Sequence, residues 1–162
     1  MKKFFLLTLA GFITFSAFSQ SKGGGTNLSG GLELGLPTGD MNLSQNIGFG
    51  ASVKALFGDV SGFTASAGYM TFSGKNTIPA FSAIPVKVGY RTAFEGGFYF
   101  EPQVGMSFTS QGGFTESVFT YAPNVGIITG GLDISARYEA MTKDSYTIGF
   151  IGLRLAFSFG KK

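Results

Sequence analysis

The chain contains no histidine and no cysteine among its 162 residues. The commonest general base and the commonest metal ligands are therefore missing. Disulfides, cysteine nucleophiles and lipid attachment through an N-terminal cysteine are missing with them. Carboxylates are the next candidates for chemistry. Asp133 and Glu139 share one face of the segment LDISARYEAM, but six extended residues separate them by roughly 20 Å. The acid/base carboxyls of a glycosidase lie within ~5–10 Å of each other. A Ser–His hydrolase has no histidine to work with. These residue types point away from an enzyme, and no metal or cofactor site is expected.

Composition sharpens the exclusion. Charged residues are 13% of the chain, about half the ~25% usual in soluble domains. Hydrophobic residues are 44%, with 26 Gly, 19 Phe and no Trp. Glycine spread among aromatic and branched residues that must be buried argues for a fold and against disorder. The length suits one domain.

The N-terminus reads as a secretory signal over residues 1–19. Lys2 and Lys3 form a basic start, Phe4 to Phe15 an apolar core, and Ala17 and Ser19 a small-residue cleavage site before Gln20. The apolar run is shorter than the ~20 residues of a spanning helix. Removing the two lysines leaves ten basic and nine acidic residues. The basic balance thus belongs mainly to the discarded segment, and no nucleic-acid surface is expected.

The remaining chain, residues 20–162, alternates with period two and sustains no helical period. Eight strands are predicted, near Leu28–Leu36, Ile47–Phe57, Phe63–Phe72, Ile84–Ala93, Phe98–Ser107, Phe119–Ile128, Leu132–Met141 and Thr147–Phe159. Connectors at 58, 94 and 129 are tight, whereas those at 37, 73 and 109 are expected to be long and polar. An even number of strands, each near ten residues, with short and long connections alternating, predicts an all-β, eight-stranded antiparallel up-and-down transmembrane barrel. A closed barrel satisfies its backbone without an edge.

The charges follow the same alternation. One face of the eight strands collects Glu33, Lys54, Lys87, Arg91, Glu101, Asp133, Arg137, Glu139 and Arg154. The other face is apolar and carries none of the mature charges. A Lys or Arg facing lipid at mid-depth costs ~2–4 kcal/mol, which accounts for that exclusion. A soluble, lipocalin-like carrier of an apolar ligand has the same period with its faces exchanged. Bulky residues on the apolar face, glycine on the polar face and few charges all favour the membrane barrel over that carrier.

The segments GLELGLPTGD (31–40), IPVKVGYR (84–91), YFEPQVGMSF (99–108), LDISARYE (132–139) and GLRLAFSF (152–159) resemble the small outer-membrane β-barrel domain family of Gram-negative bacteria, in the broad OmpA/OmpX-like sense. The resemblance spans Leu28 to Phe159 and implies fold and outer-membrane location, with no particular activity. It also implies tight turns in the periplasm and longer connectors outside the cell. Lipid and the barrel-insertion machinery are the implied partners, the latter reading a closing aromatic such as Phe157 or Phe159, although Gly160, Lys161 and Lys162 follow.

Eight strands leave an interior just wide enough for side chains to fill it. Five bases and four acids are expected to pair there as a plug, and a narrow polar pore for ions or small solutes is the competing reading. Ile78, Phe81 and Phe114 are expected in the outer loops, where they either face an unidentified protein partner or pack on the rim. With no Trp, Phe and Tyr must build the aromatic girdles. Pro85, Pro102 and Pro123 fall inside strands of a barrel that has no edge. Pro102 and Pro123 are expected either to face each other and weaken the ladder between strands five and six, or each to sit at a bulge.

Overall fold

A computed structural model describes residues 25–144 and 146–159. The expected signal segment and the terminal Gly160, Lys161 and Lys162 lie outside these residues. The described chain forms eight strands: β1 (Thr26–Thr38), β2 (Gln45–Phe57), β3 (Gly62–Gly74), β4 (Phe81–Ala93), β5 (Phe98–Gln111), β6 (Phe114–Thr129), β7 (Leu132–Lys143) and β8 (Tyr146–Ser158). Each pairs antiparallel with its sequence neighbour, and β1 pairs with β8 to close the barrel. One short helix, α1 (Asp40–Ser44), lies between β1 and β2. No helix among the described residues is long and apolar enough to cross a membrane; this chain crosses with strands.

The period-two pattern dictates the two walls. Along β5, Phe98, Phe100, Val104, Met106 and Phe108 are exposed, while Tyr99, Glu101, Gln103 and Ser107 between them are buried. Leu32, Phe49, Phe63 and Phe157 on other strands are at least 60% exposed to the outside. A lipocalin carries its apolar face inward, so the carrier reading is inverted here. Phe63 and Tyr90 meet edge to face on the outer wall with ring centroids 5.2 Å apart. They begin an aromatic belt at the end of the barrel that holds the chain termini, here called the terminal end.

The connectors depart from the expectation most at the third. The third long connector does not exist as a loop. β5 and β6 continue through it to a two-residue turn at Gly112 and Gly113, with φ of 59° and 89°. Gly130 and Gly131 at the opposite end have φ of 57° and 88°. Two successive positive φ values match the twist of a hairpin and are open to glycine without strain. Polar residues in TSQGGFTESV still pair as strand, because a ladder that rises out of the apolar band needs no apolar face.

The main apolar cluster among the described residues sits inside the barrel at the loop end. Met70, Phe72, Phe81, Ala83, Val118, Met141 and Phe150 point inward there, and Met41 from α1 packs on them. Phe72 is the centre, with ring centroids 5.0 Å from Phe150 and 6.1 Å from Phe81. Gly35 and Gly48, paired across β1 and β2, leave the room it fills. A Cβ on Gly48 would lie 2.4 Å from the Phe72 ring, and one on Gly35 would lie 2.7 Å away.

Candidate functional site

Below this cap the lumen is polar, and the nine candidate charges all project into it with 7% exposure or less. Alternation puts them there, as it puts Lys87 between the outward Val86 and Val88 and Arg154 between the outward Leu153 and Leu155. They fall into two joined groups. Near the terminal end, Glu101 lies 2.8 Å from Lys54 Nζ and 2.6 Å from Arg91 Nε, and Arg91 Nη2 lies 3.4 Å from Asp133. Nearer the cap, Lys87 and Arg137 Nε both donate to Glu139 Oε2, and Arg137 Nη2 reaches Glu33 at 2.6 Å. Arg154 joins the groups, 3.2 Å from Asp133 Oδ2 and 3.8 Å from Glu33 Oε1.

Neutral side chains complete the network. Tyr99 donates its hydroxyl to Asp133 at 2.6 Å, and the Arg91 guanidinium stacks 3.8 Å over its ring. Gln103 donates to Glu101 at 2.6 Å, Ser52 donates to Glu33, and Arg154 Nε donates to Ser52 at 2.9 Å. Two inward glycines make the space: a Cβ on Gly126 would strike Tyr99 at 2.5 Å, and one on Gly152 would stand 3.0 Å from Arg137 Cζ. Charges desolvated this far are tolerable only when paired and hydrogen-bonded.

What this arrangement can do chemically is narrow. Every one of the four carboxylates has a cation within 3.4 Å. The cavity among Lys54, Ser66, Lys87, Asn124, Arg137 and Arg154 measures about 20 Å³, little more than the ~10–15 Å³ that admits a single water.

The loop candidates separate. Ile78 lies in the connector between β3 and β4 and is 38% exposed. Phe114 opens β6 and is 81% exposed beside the Gly112–Gly113 turn, in a strand and not in a loop. Phe81 is a correction. It starts β4, pairs with Phe72 and Gln111, and is 7% exposed within the cap, so it faces no partner. The apolar strand that begins at Phe81 extends three residues further toward the loop end than its sequence announces, because Ser82 and Pro85 blur the alternation.

The cap itself is absent from the sequence reading. Its signal lies in the phase of the strands. In β3 the inward series Thr64, Ser66, Gly68 continues as Met70 and Phe72, so inward positions turn from polar to apolar without any change of register. The same turn occurs in β8, from Arg154 and Gly152 to Phe150.

Neither a family model nor a curated protein matches the chain by sequence. Solved structures do match by shape. The N-terminal β-barrel domain of Pseudomonas aeruginosa OprF superposes with a TM-score of 0.62 at 12% identity, over 85% of this chain and 100% of that domain. Ail, the attachment invasion locus protein of Yersinia pestis, gives 0.57 at 18% identity over 85% and 100%. Neisserial surface protein A gives 0.57 at 13% identity over 85% and 98%. The fold is that of the small eight-stranded transmembrane barrels. At these identities the likeness carries the fold alone.

Proposed function

We propose that this protein is an integral outer-membrane barrel with a sealed lumen, serving as a structural or protein-interaction element rather than a pore or an enzyme. The observation that carries the reading is the filled interior: nine charges paired with one another beneath an apolar cap of Phe72, Phe81 and Phe150. A hydrated ion finds no continuous polar path through such a stack. The apolar outer wall supports insertion in lipid, and the shape shared with OprF, Ail and neisserial surface protein A supports the outer membrane as that lipid.

On this reading residues 1–19 are a cleaved export signal, and the mature barrel runs from 20 to 162. Its partners are outer-membrane lipid and, during assembly, the insertion machinery, to which Phe157 and Phe159 offer a closing aromatic. The tight-turn end faces the periplasm. The loop end presents Ile78 and Phe114 to the outside, where an interaction role would be exercised. The charge network has no cofactor to hold and no nucleic acid to meet. Outer-membrane fractionation with heat-modifiable migration on a denaturing gel tests the location. Recovery as a detergent-free periplasmic monomer would overturn it.

A further inference from the structure

The lumen charges do not balance. Lys54, Lys87, Arg91, Arg137 and Arg154 face Glu33, Glu101, Asp133 and Glu139, an excess of one positive charge among residues 7% exposed or less. The excess is not spread evenly. The cavity between the two ion-pair groups is lined by Lys54, Lys87, Arg137 and Arg154 but by a single carboxylate, Glu33. Lys54, Ser66 and Lys87 stand on one rung, since Ser66 pairs with Lys54 on β2 and with Lys87 on β4. Strand spacing puts the two lysine Cα atoms about 10 Å apart with the serine between them. Each lysine has one carboxylate partner, Glu101 for Lys54 and Glu139 for Lys87, and neither carboxylate lines the cavity.

Two polar groups around this cavity, Ser66 Oγ and Asn124 Oδ1, lack hydrogen-bond partners, and Lys54 Nζ spends only one of its three donors, on Glu101. Lys54 is 5% exposed, and Glu101 at 2.8 Å is the one carboxylate its ammonium meets. An ammonium carries three donors, a hydroxyl one, and an amide turned about its last bond presents its NH2. The unspent capacity on this rung is thus donor capacity beside uncompensated positive charge in a low-dielectric interior.

We propose that the cavity binds one small monovalent anion, of the halide class, between Lys54 Nζ, Ser66 Oγ and Lys87 Nζ. The ion would bring the lumen to neutrality and take up the donors that protein groups leave unused. The proposal rests on the lumen being sealed; bilayer conductance tests the seal and the following experiment tests the ion, so either can fail alone.

Because the cap closes the lumen, the full barrel is unfolded and refolded into detergent in sodium bromide, then crystallised. An anomalous bromide peak on the Lys54–Ser66–Lys87 rung is expected. Ordered water there without anomalous signal would overturn the site. In urea titrations the folded-to-unfolded ratio should rise about tenfold for each tenfold rise in bromide above its Kd, relative to gluconate of equal ionic strength. Lys54→Met should abolish both the peak and that dependence, and a peak that persists in it would contradict the assignment. Should Lys54→Met fail to refold, Ser66→Ala keeps every ion pair and should weaken the bromide dependence; an unchanged dependence would count against the site.

Discussion

Pro102 and Pro123 stand directly opposite each other across β5 and β6, both facing outward. The ladder between them is intact, with Glu101 paired to Asn124 on one side and Gln103 to Ala122 on the other. The expected weak point between β5 and β6 is therefore wrong. Each proline interrupts its other neighbour instead. Pairing of β5 with β4 skips from Gln103 to Phe100, and pairing of β6 with β7 skips from Tyr121 to Asn124. Pro85 does the same between β4 and β3, where pairing skips from Ala67 to Met70. In an antiparallel strand successive N–H groups point to alternate sides. The donor that each proline lacks is the one facing the interrupted neighbour.

Restoring one donor should therefore strengthen a seam that does not contain the other proline. Pro102→Val keeps an apolar outward side chain and returns an N–H toward Tyr90. A gain of about 1 kcal/mol is expected, read as a higher urea midpoint in micelles, together with slow exchange of the new amide at the substituted position. A gain in exchange protection confined to β6 would contradict the assignment of the seam.

The cap makes a packing prediction. Gly48→Ala places a methyl 2.4 Å from the Phe72 ring, so overpacking should cost about 1–3 kcal/mol. Combined with Phe72→Leu, most of that loss should disappear, a coupling that a double-mutant cycle measures. Additive losses would show that the glycine serves something other than the ring.

Buried and exposed ion pairs should differ sharply. Glu139→Gln strips the shared partner from Lys87 and Arg137 and should cost about 3–5 kcal/mol, as for one partner removed from a buried pair. Glu116 and Lys143 also pair, at 3.1 Å, but both are more than a third exposed at the loop end. Glu116→Gln should cost less than ~1 kcal/mol. Equal effects in denaturant titrations would mean that the lumen is wet.

The lipid-facing wall is testable by depth. Tyr121→Arg, on the outer face midway along β6, should cost about 2–4 kcal/mol in a bilayer, whereas Phe114→Arg at the rim should cost ~0–1 kcal/mol. Unfolding measured in vesicles separates the two. Similar small costs at both sites would place Tyr121 outside the apolar band.

How far the sequence speaks depends on what each residue has to signal. Strand β7 is legible residue by residue, since Ile134 and Tyr138 alternate with Asp133, Arg137 and Glu139 and nothing else competes. Alternation also carries the inward charges, because lipid excludes them from the other face. It cannot carry the cap, where Phe72 and Phe150 occupy positions that are polar lower in the same strands, and where the determinant is height along the barrel. Nor can it carry the pairing of Lys87 with Glu139, 52 residues apart, or of Arg137 with Glu33, 104 residues apart. Those contacts follow from register and shear, which close only when all eight strands are in place. The prolines are visible as an oddity, but the side on which each breaks its ladder depends on which neighbour its nitrogen faces.

A lumen closed by paired charges and an apolar cap passes no ions, and planar-bilayer conductance of the purified, refolded barrel is the direct test. Incorporated protein should leave the bilayer electrically silent across the applied voltage range. Discrete openings that vanish on denaturation would show that the lumen conducts and is not sealed.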